Sequence, residues 1–211
     1  MPAEGEWIAE AARLTAAGEL VVVPTETVYG VAARAEDAGA MEALYRLKGR
    51  DRGKRISFLA SGAEVVRGRV TWCEAAQRLA EAFWPGPLTM VLENGKGGWD
   101  GFRVPDHPVA LAWLRLLDFA PAVTSANLSG QAAATTAEAA ARALGDGVAL
   151  VLDAGASPGG TASTVVRVRG DGGIEVLREG PISEGELRAV VEGRGKKVEG
   201  QRSKVEGQGA G

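Results

Sequence analysis

The ten residues RLKGRDRGKR, at 46–55, carry six bases (Arg46, Lys48, Arg50, Arg52, Lys54, Arg55) against one acid, Asp51. A guanidinium offers a planar fork to an oxyanion and an ammonium offers a point charge, so the run has the chemistry of a phosphate clamp. Gly49 and Gly53 give the backbone freedom to close on a ligand. A solvated basic loop is the competing reading. Two further polar clusters each follow an apolar run. PTETVYG, 24–30, places Thr25, Glu26, Thr27 and Tyr29 after Leu20–Val23. TSANLSG, 124–130, places Thr124, Ser125, Asn127 and Ser129 at the end of Ala120–Thr124. Open α/β sheets bind ligands at the carboxyl ends of their strands, and small hydroxyls and amides suit a phosphate, a ribose or a carboxylate. An ordinary polar turn is the alternative for each.

A fourth segment, GGTAST at 159–164, has the glycines and hydroxyls of an anion nest around Ser163, but not the Gly-Lys-Ser/Thr of a Walker A loop. Arg103 and Arg178 stand singly beside Gly or Pro turns. Other chemistries are poorly served. His107 is the one histidine and no G-x-S-x-G elbow is present, so a hydrolase triad has little to work with. The single cysteine, Cys73, excludes an intrachain disulfide and a cysteine metal cluster; it reads as a buried thiol on a helix. Trp99, in a glycine loop, is the tryptophan that does not read as core.

These segments must be held by the elements around them. Helical periodicity marks 6–17, 37–47, 72–84, 108–117, 136–144 and 183–192. Asp37, Thr135 or Thr136, and Ser183 are expected N-caps, with Glu186 completing a capping box and Pro108 at a first helical position. Strands are expected at 20–23, 56–60, 88–92, 120–124, 148–152, 164–168 and 174–177, the last two joined by an Asp171-Gly172-Gly173 hairpin turn. Residues 95–101 read as a flexible loop. Strands alternate with helices until the late hairpin breaks the order. The expected fold is α/β: a single domain with a twisted mixed parallel and antiparallel sheet and flanking helices.

The chain has 211 residues, 45% hydrophobic and 24% charged, a balance that excludes a disordered chain. No apolar run nears the roughly 20 residues that span a bilayer. The start, MPAEGEWIAE, lacks a signal's basic and apolar regions, so the expected location is the cytoplasm, with no membrane partner. The net charge is −3, mildly acidic, so contact with nucleic acid would need a local patch. The expected domain is 1–192; the segment 193–211 is low in complexity, basic, and expected to be disordered.

Taken in order, VVVPTETVYGVAA, LKGR, FWPGPLTMVL, FRVPDHP, TSANLSG, ASTVVRV and LREGP closely resemble the threonylcarbamoyl-AMP synthase family, also called YrdC-like or TsaC, in its short single-domain form. The resemblance spans 21–181 and implies a YrdC-like sheet around a positively charged cavity. It implies a nucleotidyltransferase that joins L-threonine, bicarbonate or CO2, and ATP into threonylcarbamoyl-adenylate and pyrophosphate. A downstream threonylcarbamoyl transferase complex then modifies adenosine in tRNA, and tRNA itself is a further candidate partner.

By the same resemblance, Thr25, Tyr29, Arg103 and Thr124 serve the threonine. Lys48, Arg50, Ser125, Asn127, Ser163 and Arg178 serve ATP and the adenylate. Mg²⁺ would arrive with ATP rather than in a protein cage. The resemblance supplies no catalytic base. Asp51 stands where relatives usually carry proline, and Arg167 where they usually carry an acid. Those two changes favour the alternative, a nucleotide- or double-stranded-RNA-binding paralogue with lost or altered catalysis.

Overall fold

Helix starts along the chain are set by local hydrogen bonds. The Asp37 carboxylate accepts from Gly39 N and Ala40 N, and Thr136 Oγ1 accepts from Ala139 N. Ser183 and Glu186 form the reciprocal capping box. Each satisfies main-chain donors that a first helical turn leaves open. The structure is a computed structural model that describes residues 4–53 and 55–194. Lys54 and the part of the expected tail from 195 onward lie outside the described residues.

The helices are α1 (Gly5–Ala16), α2 (Ala38–Lys48), α3 (Ala63–Arg67), α4 (Glu74–Phe83), α5 (Pro108–Arg115), α6 (Ala137–Leu144) and α7 (Glu184–Val191). The strands are β1 (Val21–Val23), β2 (Gly30–Ala33), β3 (Ser57–Leu59), β4 (Leu88–Glu93), β5 (Trp99–Arg103), β6 (Ala122–Ser125), β7 (Leu150–Val151), β8 (Thr164–Val168) and β9 (Ile174–Arg178). They form one sheet in the order β7-β1-β2-β6-β3-β5-β4-β8-β9. The pairs β1/β7, β3/β5 and β4/β8 are parallel and the others antiparallel, so the sheet is mixed as expected.

Three expectations are corrected. β2 was not anticipated, because Gly-Val-Ala-Ala is short and carries no alternation; it forms by pairing with both β1 and β6. The glycine loop at 95–101 is a tight turn leading into β5. The Asn94 side chain accepts from Lys96 N and Gly98 N and so returns the chain as a strand. Cys73 is not on a helix: it is the half-buried N-cap of α4, with its thiol 3.5 Å from Arg169 O.

Strand side chains alternate between faces. Val22 and Val31 pack with α2 and α6, while Val21, Val23 and Ala32 pack with α1 and α5. Leu88, Met90 and Leu92 of β4, Phe102 of β5, and Val166 and Val168 of β8 pack with α4 and α7. The residues between them, Thr89, Val91, Gly101 and Val165, turn to the other face and line a cavity. Covering one face of β4, β5 and β8 with helices therefore leaves the opposite face as a cavity floor.

Candidate functional site

The cavity holds about 350 Å³. Its floor is β3, β5, β4 and β8, and its walls are the PTET loop between β1 and β2, the end of β6, and the turn before β8. At Gly101 a Cβ would meet Ser57 Oγ at 2.9 Å, so the glycine keeps the floor low where two strands carry side chains toward the opening. Four arginines line the space: Arg50 and Arg55 from the segment after α2, Arg103 from β5 and Arg178 from β9. Arg103 and Arg50 lie within electrostatic reach of Arg178. The Arg178 guanidinium is pushed below its ordinary pKa by burial first, and then by Arg103 and Arg50. Like charges gathered this way are relieved by an anion.

Each arginine is held differently. Arg178 Nε and Nη2 donate to Ser163 O at 3.1 and 2.8 Å, and Nη2 reaches Ser163 Oγ at 3.2 Å. Ser163 Oγ shares a 2.8 Å hydrogen bond with Thr89 Oγ1, which ties β9, the turn before β8 and β4 together. Close approach permits this, since a Cβ at Gly180 would fall 2.4 Å from Thr164 N. Arg50 Nη2 donates to Arg55 O at 2.9 Å. Arg103 is 7% exposed. It donates from Nε to Gly86 O at 3.1 Å and from Nη1 to Thr27 Oγ1 at 2.8 Å, and its Nη2 lies 2.6 Å from Glu26 Oε2.

The PTET loop is ordered by its own hydroxyls. Thr25 Oγ1 donates to Val28 O at 2.7 Å, which uses its one hydrogen. The 2.9 Å bond between the Thr25 and Thr27 hydroxyls is therefore donated by Thr27, which in turn accepts from Arg103. The Tyr29 hydroxyl donates to Gly155 O at 2.6 Å and accepts from Ala154 N. Burial is the main cause raising its pKa. Ser157 Oγ donates to Thr25 O and Gly159 N donates to Glu26 O, both at 2.8 Å, so the 154–159 segment backs the loop.

Most of the residues expected from the sequence meet at this cavity: Thr25, Tyr29, Arg50, Arg103, Thr124, Ser125, Ser163 and Arg178 line it. Lys48 and Asn127 do not. Lys48 is 2% exposed, and its Nζ donates to Ser125 O, Asn127 O and Asn127 Oδ1. Asn127 Nδ2 donates to Leu128 O and Gln131 O. These two side chains clasp the loop after β6 to the end of α2. Burial first, and then Arg50, lower the Lys48 pKa from 10.5 to about 8.

The sequence reading gave no role to Ser57 and Thr89, which also line the site, as does Arg55 of the basic run. The alternation of β3 and β4 would have pointed Ser57 and Thr89 away from the core. His107 is the residue before α5, and its Nδ1 is buried without a hydrogen-bond partner. Burial lowers its pKa, against the pull of Glu26 and Asp106. Among the described residues no group of three His, Cys, Asp or Glu is placed to hold a metal ion, and no helix is long and apolar enough to cross a membrane.

Residues 13–180 match the Sua5/YciO/YrdC family model, described as "Telomere recombination". A Mycobacterium tuberculosis protein provisionally named threonylcarbamoyl-AMP synthase is 42% identical over 152 residues, which is 67% of this chain and 69% of that protein. The Bacillus subtilis threonylcarbamoyl-AMP synthase is 36% identical over 159 residues, covering 70% of this chain but 46% of its own length. Among solved structures, Pyrococcus abyssi Sua5 complexed with L-threonine superposes with a TM-score of 0.82 at 32% identity, over 88% of this chain and 57% of that one. Escherichia coli YciO superposes with a TM-score of 0.77 at 25% identity, over 85% of this chain and 92% of that one. The chain thus spans about half the length of the Bacillus and Pyrococcus proteins.

Proposed function

The chain belongs to the Sua5/YciO/YrdC family, and on that premise we propose that it is a threonylcarbamoyl-AMP synthase using L-threonine, bicarbonate or CO2, and ATP. The observation that carries this reading is the convergence of Arg50, Arg103 and Arg178 on one cavity beside the hydroxyl-rich PTET loop. ATP and the threonine carboxylate both bring negative charge to such a place. Arg103, presented with Thr25 and Thr27, suits a small carboxylate. Arg50, Arg178 and Ser163 suit phosphate oxygens, with Ser125 beyond them. The wall donors are guanidiniums and hydroxyls, which fit phosphate rather than a metal, so Mg²⁺ would be carried in on the phosphates of ATP.

The reaction then runs on positioning and charge. The threonine amine attacks the carbon of CO2, or of bicarbonate with loss of hydroxide, forming an N-carboxylate. One oxygen of that carboxylate attacks the α-phosphorus, the bond to the bridging oxygen breaks, and pyrophosphate leaves. No His, Asp or Glu is among the described residues lining the cavity, so the amine proton passes to a substrate oxygen or to water. The product is a mixed anhydride for a downstream transferase acting on tRNA. The test is pyrophosphate release from ATP and Mg²⁺ with and without L-threonine and bicarbonate. Release that needs both supports the reading. ATP binding without release would replace it with a nucleotide-binding paralogue.

A further inference from the structure

One aromatic ring in the cavity wall is left without a part in this scheme. Trp99 opens β5, and of the five tryptophans it is the one that lines the cavity. It lies four residues from Arg103 on the same strand and face, about 13 Å along the sheet. The strand registers show what shares its end of the cavity. Val91 of β4 pairs with Gly101 on one side and with Arg167 of β8 on the other, so Arg167 stands across β4 from β5. On the opposite side β6 pairs Val123 with Ser57, whose hydroxyl adjoins Gly101. Two residues further in the same direction, β6 reaches Ser125 and β5 reaches Trp99. Arg55 Nη1 donates to Trp99 O, which fixes that level of the strand.

The ring is backed as well as placed. The Arg167 guanidinium carbon lies 5.3 Å from the Trp99 ring centroid, and its Nη1 is 2.7 Å from Glu175 Oε2 on β9. An arginine plane held against one face of an indole leaves the ring a preorganised stacking surface. Every nucleobase has a π-face, and stacking on an aromatic side chain contributes substantially to binding nucleotides.

We propose that Trp99 is the wall against which the base of the nucleotide stacks, with Arg167 as the residue that holds it there. This rests on the nucleotide reading above and adds its base end. The Arg167 that departs from the family pattern is then part of the site rather than a lesion in it.

The experiment is calorimetric binding of MgATP and of inorganic tripolyphosphate to the full chain and to Trp99→Ala and Trp99→Phe. The expected result is an ATP affinity about 5- to 100-fold weaker in Trp99→Ala, an unchanged tripolyphosphate affinity, and recovery of most ATP affinity in Trp99→Phe. An ATP affinity within twofold of the parent in Trp99→Ala overturns the proposal. So does an equal loss of tripolyphosphate, which would make Trp99 a prop for the cavity and not a base contact. If the parent bound tripolyphosphate but gained nothing from the adenosine of ATP, the nucleotide reading itself would fail, and this inference with it.

Discussion

Lys48 at the end of α2 donates its ammonium to the main-chain carbonyls of Ser125 and Asn127, and to Asn127 Oδ1 at 3.2 Å. Two polar segments far apart in the chain are thereby fastened into one wall. The ammonium is buried among carbonyl dipoles rather than presented to the cavity. What it fixes is the position of Ser125, which lines the cavity.

The first prediction concerns that ammonium. In the folded chain Lys48 titrates at about 8, and in the unfolded chain near 10.5. Between those values the unfolded chain keeps a proton that the folded chain has released, so unfolding free energy rises with pH. Relative to Lys48→Met, the wild-type chain should gain about 1–2 kcal/mol between pH 7.5 and 9.5. Urea unfolding of both proteins at the two pH values measures it, and a constant difference would remove Lys48 as the source.

Arg50→Ala should weaken ATP binding about tenfold or more, since hydrogen bonds to charged groups contribute about 1.5–3 kcal/mol. Ser163→Ala should do far less, because Arg178 keeps its two bonds to the Ser163 carbonyl. Titration calorimetry separates them. An unchanged ATP dissociation constant in Arg50→Ala would take Arg50 out of the phosphate site.

The Glu26–Arg103 pair is nearly buried, with side chains 15% and 8% exposed. Removing one partner strands the other's charge, at a cost of about 3–5 kcal/mol. Glu26→Leu alone should therefore lower the melting temperature by roughly 10 °C. Glu26→Leu with Arg103→Met should recover much of that loss. A thermal double-mutant cycle showing additive losses would mean that the two charges are not coupled.

Gly159 lies so close to the PTET loop that a Cβ would sit 2.7 Å from Glu26 O and 3.3 Å from Thr27 Cα. These are main-chain atoms that cannot swing aside. Gly159→Ala should raise the threonine KM several-fold and leave the ATP dissociation constant near its original value. The control is Gly185→Ala in α7, where nothing lies within 4 Å, and there helix propensity should add about 0.5–1 kcal/mol of stability. An unmoved threonine KM in Gly159→Ala would free the loop from this support.

Much of this was legible in the sequence because local chemistry decides it. Asp37, Thr136 and Ser183 cap helices where their side chains reach the next turn, and apolar runs such as Val21–Val23 became buried strands. What escaped notice depends on partners distant in the chain. Gly30–Ala33 becomes a strand only between two others. The polar motifs named the side chains that gather at the cavity, but nothing in their spacing said that Lys48 and Asn127 would bond to each other. Glu26 was visible as a polar residue. Its pairing with Arg103 needed β5, which read as the end of a loop.

The cavity draws its floor and flanking residues from strands that are neighbours in space but scattered in order, β6-β3-β5-β4-β8-β9. Arg178, on the last of them, is anchored to Ser163 and so to Thr89 on β4. A growing chain thus presents the arginines of its cavity one at a time and gathers them only when the final hairpin docks. Contacts of such long range form late and together. A product cut short before residue 178 would carry most of the sheet, with Arg50 and Arg103, yet lack the arginine that ties the last strand to Ser163.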